Sequence, residues 1–391
     1  MSDVQKKPVV WSFPTRCVFG AGAAGTVGEE AKALVEAPGA VLLVTDEGVR
    51  GAGLADPVVA SLEGAGFEVT VFDQISSNPL ESEVLSATDA YRQAGASIVV
   101  ALGGGSPLDV AKVVRVAATH PLPLAQYDDA LGGDAKIVHD VPPMVAIPTT
   151  AGTGSEVGRS GVVTLQATNR KTVIFAPKLL PNVAMLDPEL TVTMPKRTTA
   201  ATGIDALTHC IEAYCAVGDH PMADALAIEG IRLIGEHLEA AYGDGKDLEA
   251  RGAMLKASMM GAVAFQKGLG ACHALAHPLS AELNLHHGLA NALCLPAVLD
   301  FNRKAVPAKI ARIAKLLGAR GDDVETLAFE GAGAVRALRK RIGLPDGLAA
   351  EGVEEDELED LAVLAHEDVA HRLNPRPCTV DDLLSLYRAS L

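Results

Sequence analysis

The sequence predicts two domains: an α/β domain over residues 1–190 and an all-helical domain over residues 191–391. Three observations carry this reading. In the first half, short and nearly continuous β-branched runs alternate with helical stretches, the pattern of a parallel sheet covered by helices on both faces. In the second half, amphipathic periods follow one another with few strand signals. The change of character falls at the Pro188–Pro195 segment.

The predicted strands, in order, are Val41–Thr45 (VLLVT), Phe67–Phe72 (FEVTVF), Ser97–Leu102 (SIVVAL) and Met144–Ile147 (MVAI), each followed directly by Gly, Pro or Asp. Glu81–Ala94 reads as a helix between them. From Thr198 onward the helical periods include Met222–Ala241, Ala250–Phe265, Pro307–Leu317 and Val324–Ile342. A sheet of this kind places ligands at the carboxyl ends of its strands. Hydrophobic residues make up 49% of the 391 but aromatics only 4%, so the core must be built from Ala, Val, Leu and Ile. That balance excludes a disordered chain and a small disulfide scaffold. The net charge of −16 argues against a nucleic-acid binder, which needs clustered Lys and Arg. No apolar run approaches the about 18–20 residues of a membrane span, and MSDVQKKPVV has no signal-peptide core. Six cysteines without a CxxC pair suit reduced thiols, and a cytoplasmic enzyme without a membrane partner is expected.

Two polar loops follow predicted strands. In IVVALGGGSPLDVAK (98–112), Gly103, Gly104 and Gly105 would let the backbone approach an anion at a helix N-terminus. Ser106 fits the N-cap and Pro107 the first helical position. The segment reads as a pyrophosphate cradle or as a plain tight turn, since the spacing is not GxGxxG. IPTTAGTGSEV (147–157) collects Thr149, Thr150, Thr153 and Ser155, whose hydroxyls can hold phosphate, ribose or carboxamide groups. Asp46, just after VLLVT, reads either as a ribose ligand that repels a 2′-phosphate, favouring NAD over NADP, or as a cap for the next turn.

The helical half carries GIDALTHCIEAY (203–214), where Asp205 and His209 are four apart and share a helix face. In GLGACHALAHPLSAELNLHHG (268–288), His273 and His277 repeat that spacing, and His286 and His287 precede Gly288. One carboxylate and three imidazoles suit a divalent transition metal such as Fe(II) or Zn(II). A single Asp leaves such an ion electrophilic enough to polarise an alcohol or carbonyl oxygen. Spacing alone does not say which histidines ligate.

As a set, GGGSPLDVAK, PTTAGTGSEV, DPELT, GIDALTHCIEAY, HALAHPL, HHG and NPR (374–376) resemble the iron-containing (group III) alcohol dehydrogenase family, over about nine tenths of the chain. The resemblance implies a dehydroquinate synthase-like architecture, an α/β dinucleotide-binding domain followed by a helical metal-binding domain. It further implies that Asp205, His209, His273 and His287 hold the metal while His277 lies beside the nicotinamide and acts in catalysis. By the same pattern Gly103 to Ser106 and the catalytic candidate Asp109 face the pyrophosphate and nicotinamide, and Thr149, Thr150 and Thr153 line the cofactor cleft. Lys171 looks like the family lysine that reaches the cofactor. The cofactors implied are NAD and Fe(II), with Zn(II) or Ni(II) accepted by the same ligands.

Within the family, TGSEVGR (153–159), AFQKGLG (264–270), LHHG (285–288) and HRLNPR (371–376) look most like the 4-hydroxybutyrate dehydrogenase branch. Arg159, Lys267, His371 and Arg372 then become candidates to pair with a substrate carboxylate. The expected activity is reversible hydride transfer between NAD(H) and a short primary alcohol or aldehyde, such as 4-hydroxybutyrate and succinate semialdehyde. The alternatives are a general primary alcohol or diol dehydrogenase and a metal-dependent lyase of the dehydroquinate synthase type. The expected partner is the small substrate, in a homodimer or higher homo-oligomer.

Overall fold

In the computed structural model, which describes residues 15–391, the first half is built on eight strands. They are β1 (Arg16–Phe19), β2 (Ala40–Val44), β3 (Glu68–Phe72), β4 (Ile98–Gly103), β5 (Met144–Pro148), β6 (Ser160–Leu165), β7 (Arg170–Phe175) and β8 (Val183–Leu186). Six form one sheet in the order β1-β8-β5-β4-β2-β3, parallel throughout; β6 and β7 form a separate antiparallel hairpin. The segment MSDVQKKPVV, read above for a signal peptide, lies outside the described residues.

Helices α1 (Val27–Lys32), α2 (Glu47–Gly51), α3 (Ala55–Gly64), α4 (Glu81–Ala94) and α5 (Gly105–Thr119) are threaded between the strands. Alternation along the strands divides the packing. Leu42, Val44, Val99 and Ala101 join α4 and α5 in one cluster, while Val41, Leu43, Ile98 and Val100 join α1 and α3 in another. Every residue of β4 and β5 is buried. From β2 the chain steps outward to β3 and returns to β4 on the other side of β2. That reversal leaves a crevice outside the carboxyl ends of β2 and β4, where an α/β sheet binds its ligand. Asp46 and Gly103–Gly105 sit at those two ends.

The rest is helical: α6 (Lys196–Cys215), α7 (Pro221–Gly243), α8 (Leu248–Ala264), α9 (Ala271–Glu282), α10 (His287–Asn302), α11 (Pro307–Leu316), α12 (Val324–Arg341), α13 (Leu358–Glu367) and α14 (Val380–Arg388). Every residue of α6 from Thr199 to Cys215 is buried, which makes it the central helix of an Ala- and Leu-rich core. The six cysteines are free. Among the described residues, no helix is long and apolar enough to cross a membrane.

The predicted strands and helices form, within a few residues of their predicted ends. β1, β8 and the hairpin carry no strand signal that stands out in the sequence. β1 is an exposed sheet edge and β8 is four residues long, so neither shows a long apolar run. In β6 buried residues alternate with half-buried ones, among them Ser160 and Thr164, so no continuous apolar run marks the hairpin.

Candidate active site

The glycine loop after β4 and the threonine loop after β5 lie side by side. Thr149 N donates to Gly103 O at 2.9 Å. Thr153 closes on Gly105 so tightly that a Cβ there would stand 2.9 Å from its methyl carbon. Thr150 lies against Gly104, 3.5 Å from where a Cβ would be. Asp46 Oδ1 accepts from Val49 N at 2.9 Å, so Asp46 caps α2, the second of the two roles read for it. Its other oxygen faces Gly103 across the crevice, 3.3 Å from a Cβ placed there.

Ser106 departs from its predicted place. The helix starts two residues earlier, with Gly104 as N-cap, and the Ser106 hydroxyl donates to Ser77 O at 2.9 Å instead. Pro107 accordingly sits inside the first turn rather than at its first position. Asp109, expected at the reacting centre, accepts from Ser155 Oγ at 2.6 Å and from Val162 N at 3.1 Å. Lys112, wholly buried, donates to Ser155 Oγ at 2.6 Å and lies 3.5 Å from Asp109. With both oxygens so engaged, Asp109 ties the threonine loop and the hairpin to α5. Lys171 is exposed on β7, with no hydrogen bond or ion pair to either loop among the described residues.

The threonine loop also touches the helical half. A Cβ on Gly152 would stand 2.7 Å from Thr202 Cβ, one turn of α6 before Asp205. Ligand atoms of Asp205, His273 and His287 lie within 4.8 Å of one another. His209 lies beside this group, its ring stacked on that of His273 at 4.6 Å between centroids. Asn291 Nδ2 lies 2.8 Å from Asp205 Oδ1, 3.2 Å from His287 Nε2 and 3.4 Å from His273 Nε2. Three acceptor atoms thus converge on one electron-poor group, the arrangement that a shared cation also satisfies. The donor set therefore fits a divalent transition metal.

The electrostatics match. Burial alone would raise the Asp205 carboxyl, but His209, His287 and His273 hold it below the ordinary carboxylate range. Burial pushes His209 down to about 4 and His287 well below its ordinary value, keeping both rings neutral as ligands must be. For His273, burial is outweighed by Glu212, and its pKa is raised.

Glu212, not singled out in the sequence, holds the site from behind. Its Oε2 lies 2.6 Å from His273 Nδ1 and its Oε1 accepts from Cys272 N at 2.6 Å. With Nδ1–H donating to Glu212, the Nε2 lone pair of His273 is left facing Asp205. This is a carboxylate–histidine pair of the kind that fixes tautomer and ring orientation at metal sites. A signal existed: Glu212 follows Asp205 by seven and His209 by three, so all three share one face of α6. Asn291 also carried one, as a polar residue four after His287 in the otherwise apolar run ANALCLPAVL.

His277 is placed apart from the convergent group. Its Nδ1 lies 2.6 Å from Asp368 Oδ2, and its half-exposed ring stacks on His287 at 5.3 Å. Burial works to raise the Asp368 carboxyl, but the bond to His277 outweighs it and holds the pKa below its ordinary value.

The four candidate cations do not converge. Lys267 is buried in an ion pair with Asp224 and donates to Tyr214 O at 3.1 Å, so its charge is already engaged at the end of α6. His371 is buried, its Nε2 2.9 Å from His366 O, and Arg372 is exposed. Among the described residues, Arg159 is linked to the metal group only through the 265–266 segment. It reaches Gln266 Oε1 at 3.4 Å, and the neighbouring Phe265 ring lies 5.1 Å from that of His209.

Comparison with known proteins identifies the family. Residues 14–188 match the family described as iron-containing alcohol dehydrogenase, and residues 199–391 match its C-terminal part. The chain is 42% identical to 4-hydroxybutyrate dehydrogenase of Cupriavidus necator, covering 90% of this chain and 92% of that one. It is 38% identical to the NAD-dependent methanol dehydrogenase of Bacillus methanolicus, covering 97% and 99%. A solved 1,3-propanediol oxidoreductase superposes with a TM-score of 0.94 at 38% identity, covering 98% and 100%. With the family matched across both halves, the chain belongs to the iron-containing alcohol dehydrogenases.

Proposed function

We propose that this enzyme transfers hydride reversibly between NAD(H) and a short primary alcohol, with an ω-hydroxy acid such as 4-hydroxybutyrate as preferred substrate. The observation that carries the reading is the convergence of Asp205, His273 and His287 beside His209, one turn of α6 from the threonine loop. A divalent ion bound there supplies Lewis acidity toward an alcohol oxygen, and a nicotinamide held at the two loops supplies the hydride acceptor.

The chain's own residues do the rest. Asp205 contributes the one negative charge among the four ligands. Glu212 and Asn291 orient His273 and Asp205. Gly103–Gly105 and the α5 N-terminus present backbone N–H groups to a pyrophosphate, while Thr149, Thr150 and Thr153 line its flank. Asp109 and Lys112 position that flank from below. His277, with Nδ1 held by Asp368, keeps Nε2 free to pass the hydroxyl proton toward solvent. Phe265 against His209 shields one side of the site from water.

Asp46 supports NAD over NADP, because a carboxylate at the end of β2 repels a 2′-phosphate. Asp46→Ser keeps a cap for Val49 N and removes the charge. The variant is expected to raise the NADP/NAD ratio of kcat/KM about ten-fold or more, since relief of even 1.4 kcal/mol of repulsion is ten-fold. An unchanged ratio would leave Asp46 with its capping role only.

The substrate reading rests on Arg159 and on the similarity to 4-hydroxybutyrate dehydrogenase. A guanidinium facing a carboxylate is worth about 1.5–3 kcal/mol, or about ten- to a hundred-fold in kcat/KM. The Fe(II)-reconstituted enzyme should therefore prefer 4-hydroxybutyrate to 1-butanol by that factor, and Arg159→Met should remove the preference while sparing 1-butanol. Equal kcat/KM for the two in the unmodified enzyme would leave a general primary alcohol or diol dehydrogenase.

A further inference from the structure

We propose that Asn78 and Asn284 form a clasp that couples the cofactor loop to the metal loop, so that seating NAD tightens the hold on the metal. The proposal rests on the reading above of where those two ligands bind. Asn78 Nδ2 donates to Asn284 Oδ1 at 2.9 Å, joining residues 206 positions apart on opposite halves of the chain.

On the sheet side the segment 76–80, between β3 and α4, is braced from several directions. Ser76 N and Leu80 N donate to the two oxygens of Glu83 at 3.2 and 3.0 Å. Ser76 Oγ donates to Asn78 O at 2.9 Å, and Pro79 O accepts from Thr164 N of the hairpin at 2.8 Å. The Ser106 hydroxyl, next to Gly105 in the first turn of α5, donates to Ser77 O at 2.9 Å. Whatever moves the glycine loop therefore moves Asn78.

On the helical side Asn284 stands three residues before His287, in the short connection from α9 to α10. Its φ is +53°, and among the described residues Asn169 is the only other non-glycine with positive φ. Asn tolerates this left-handed region better than most side chains, and here it reverses the chain between the helix that carries His273 and the one that His287 opens. His287 Nε2 lies 3.5 Å from Asp205 Oδ1, so a displacement of Asn284 is felt at the metal ligands. The Ser106–Ser77–Asn78–Asn284–His287 path thus crosses between the halves. If seating NAD tightens the metal through this path, reciprocity requires the metal to tighten NAD by the same factor.

The test uses the full-length chain, stripped of metal. Its Zn(II) affinity is measured by competition with a chromophoric chelator, without NAD and at saturating NAD. In the unmodified protein NAD should tighten Zn(II) by about two- to five-fold, the net worth of one partly exposed hydrogen bond. Asn284→Gly accommodates the positive φ but removes the acceptor, and Asn78→Ala removes the donor. Each should bring the NAD effect to unity, and the double variant should change nothing further. Asn284→Asp keeps the acceptor and should restore the effect, which a role in stability alone would not produce. An NAD effect that survives in Asn284→Gly, or is absent from the unmodified protein although both ligands bind, overturns the clasp. Failure to bind NAD or Zn(II) at all would instead sink the functional reading, and the clasp with it.

Discussion

His273→Ala should lose more than about a hundred-fold in metal affinity and nearly all turnover, because it removes one of the four proposed ligands, where outer partners alone are worth about 10–100-fold. The side chain is buried and touches every part of the centre: Asp205 at 3.9 Å, Glu212 at 2.6 Å and the ring of His209 by stacking. The variant also leaves Glu212 Oε2 facing an emptied space, so its metal-free form should unfold at a lower temperature than the metal-free parent. His277→Ala should behave oppositely. That ring is half-exposed and bound to Asp368, so the variant should retain its metal and lose about 10²–10⁴-fold in rate, the range for a positioned proton-transfer group. Elemental analysis of the two purified variants separates these outcomes. Metal kept in His273→Ala and lost in His277→Ala would reverse the assignment of the pair.

Glu212→Gln tests the support behind the ligands. The carboxylate accepts from Cys272 N through one oxygen and from His273 Nδ1 through the other. A carboxamide can accept through only one, so either the first turn of α9 or the His273 ring loses its partner. Metal affinity should fall about 10–100-fold, and the metal-free protein should lose about 1–3 kcal/mol of stability. A chelator competition titration checks the first and thermal unfolding the second. A variant that is destabilised but binds metal as the parent does would show Glu212 to be a helix cap only.

What could be read from the sequence follows from how each part is buried. β2, β4 and β5 have nearly all their residues in the interior, so they appear as unbroken apolar runs; β1, at an exposed edge, leaves no such trace. Asp205 and His209 were legible because both sit on one turn of one helix, and their neighbour Glu212 was within the same pattern. Asp368 was not, because its bond to His277 spans 91 positions and local spacing carries no information about it. Lys267 misled for the same reason. Beside other site motifs it looked like a free cation, but Asp224, 43 positions earlier, neutralises it inside the fold. Ser106 has the capping preference of an N-cap, but Gly104, two positions earlier, takes the extended N-cap conformation.

The central claim is that one divalent metal per chain, held by Asp205, His209, His273 and His287, enables NAD-linked alcohol oxidation. It is tested most directly by titrating the metal-stripped, full-length protein anaerobically with Fe(II) while following NADH formation from a primary alcohol. The account predicts negligible turnover without metal, rising in proportion to added Fe(II) and levelling at one equivalent per chain. Full turnover in the stripped protein, or a plateau reached equally well by His273→Ala, would contradict it.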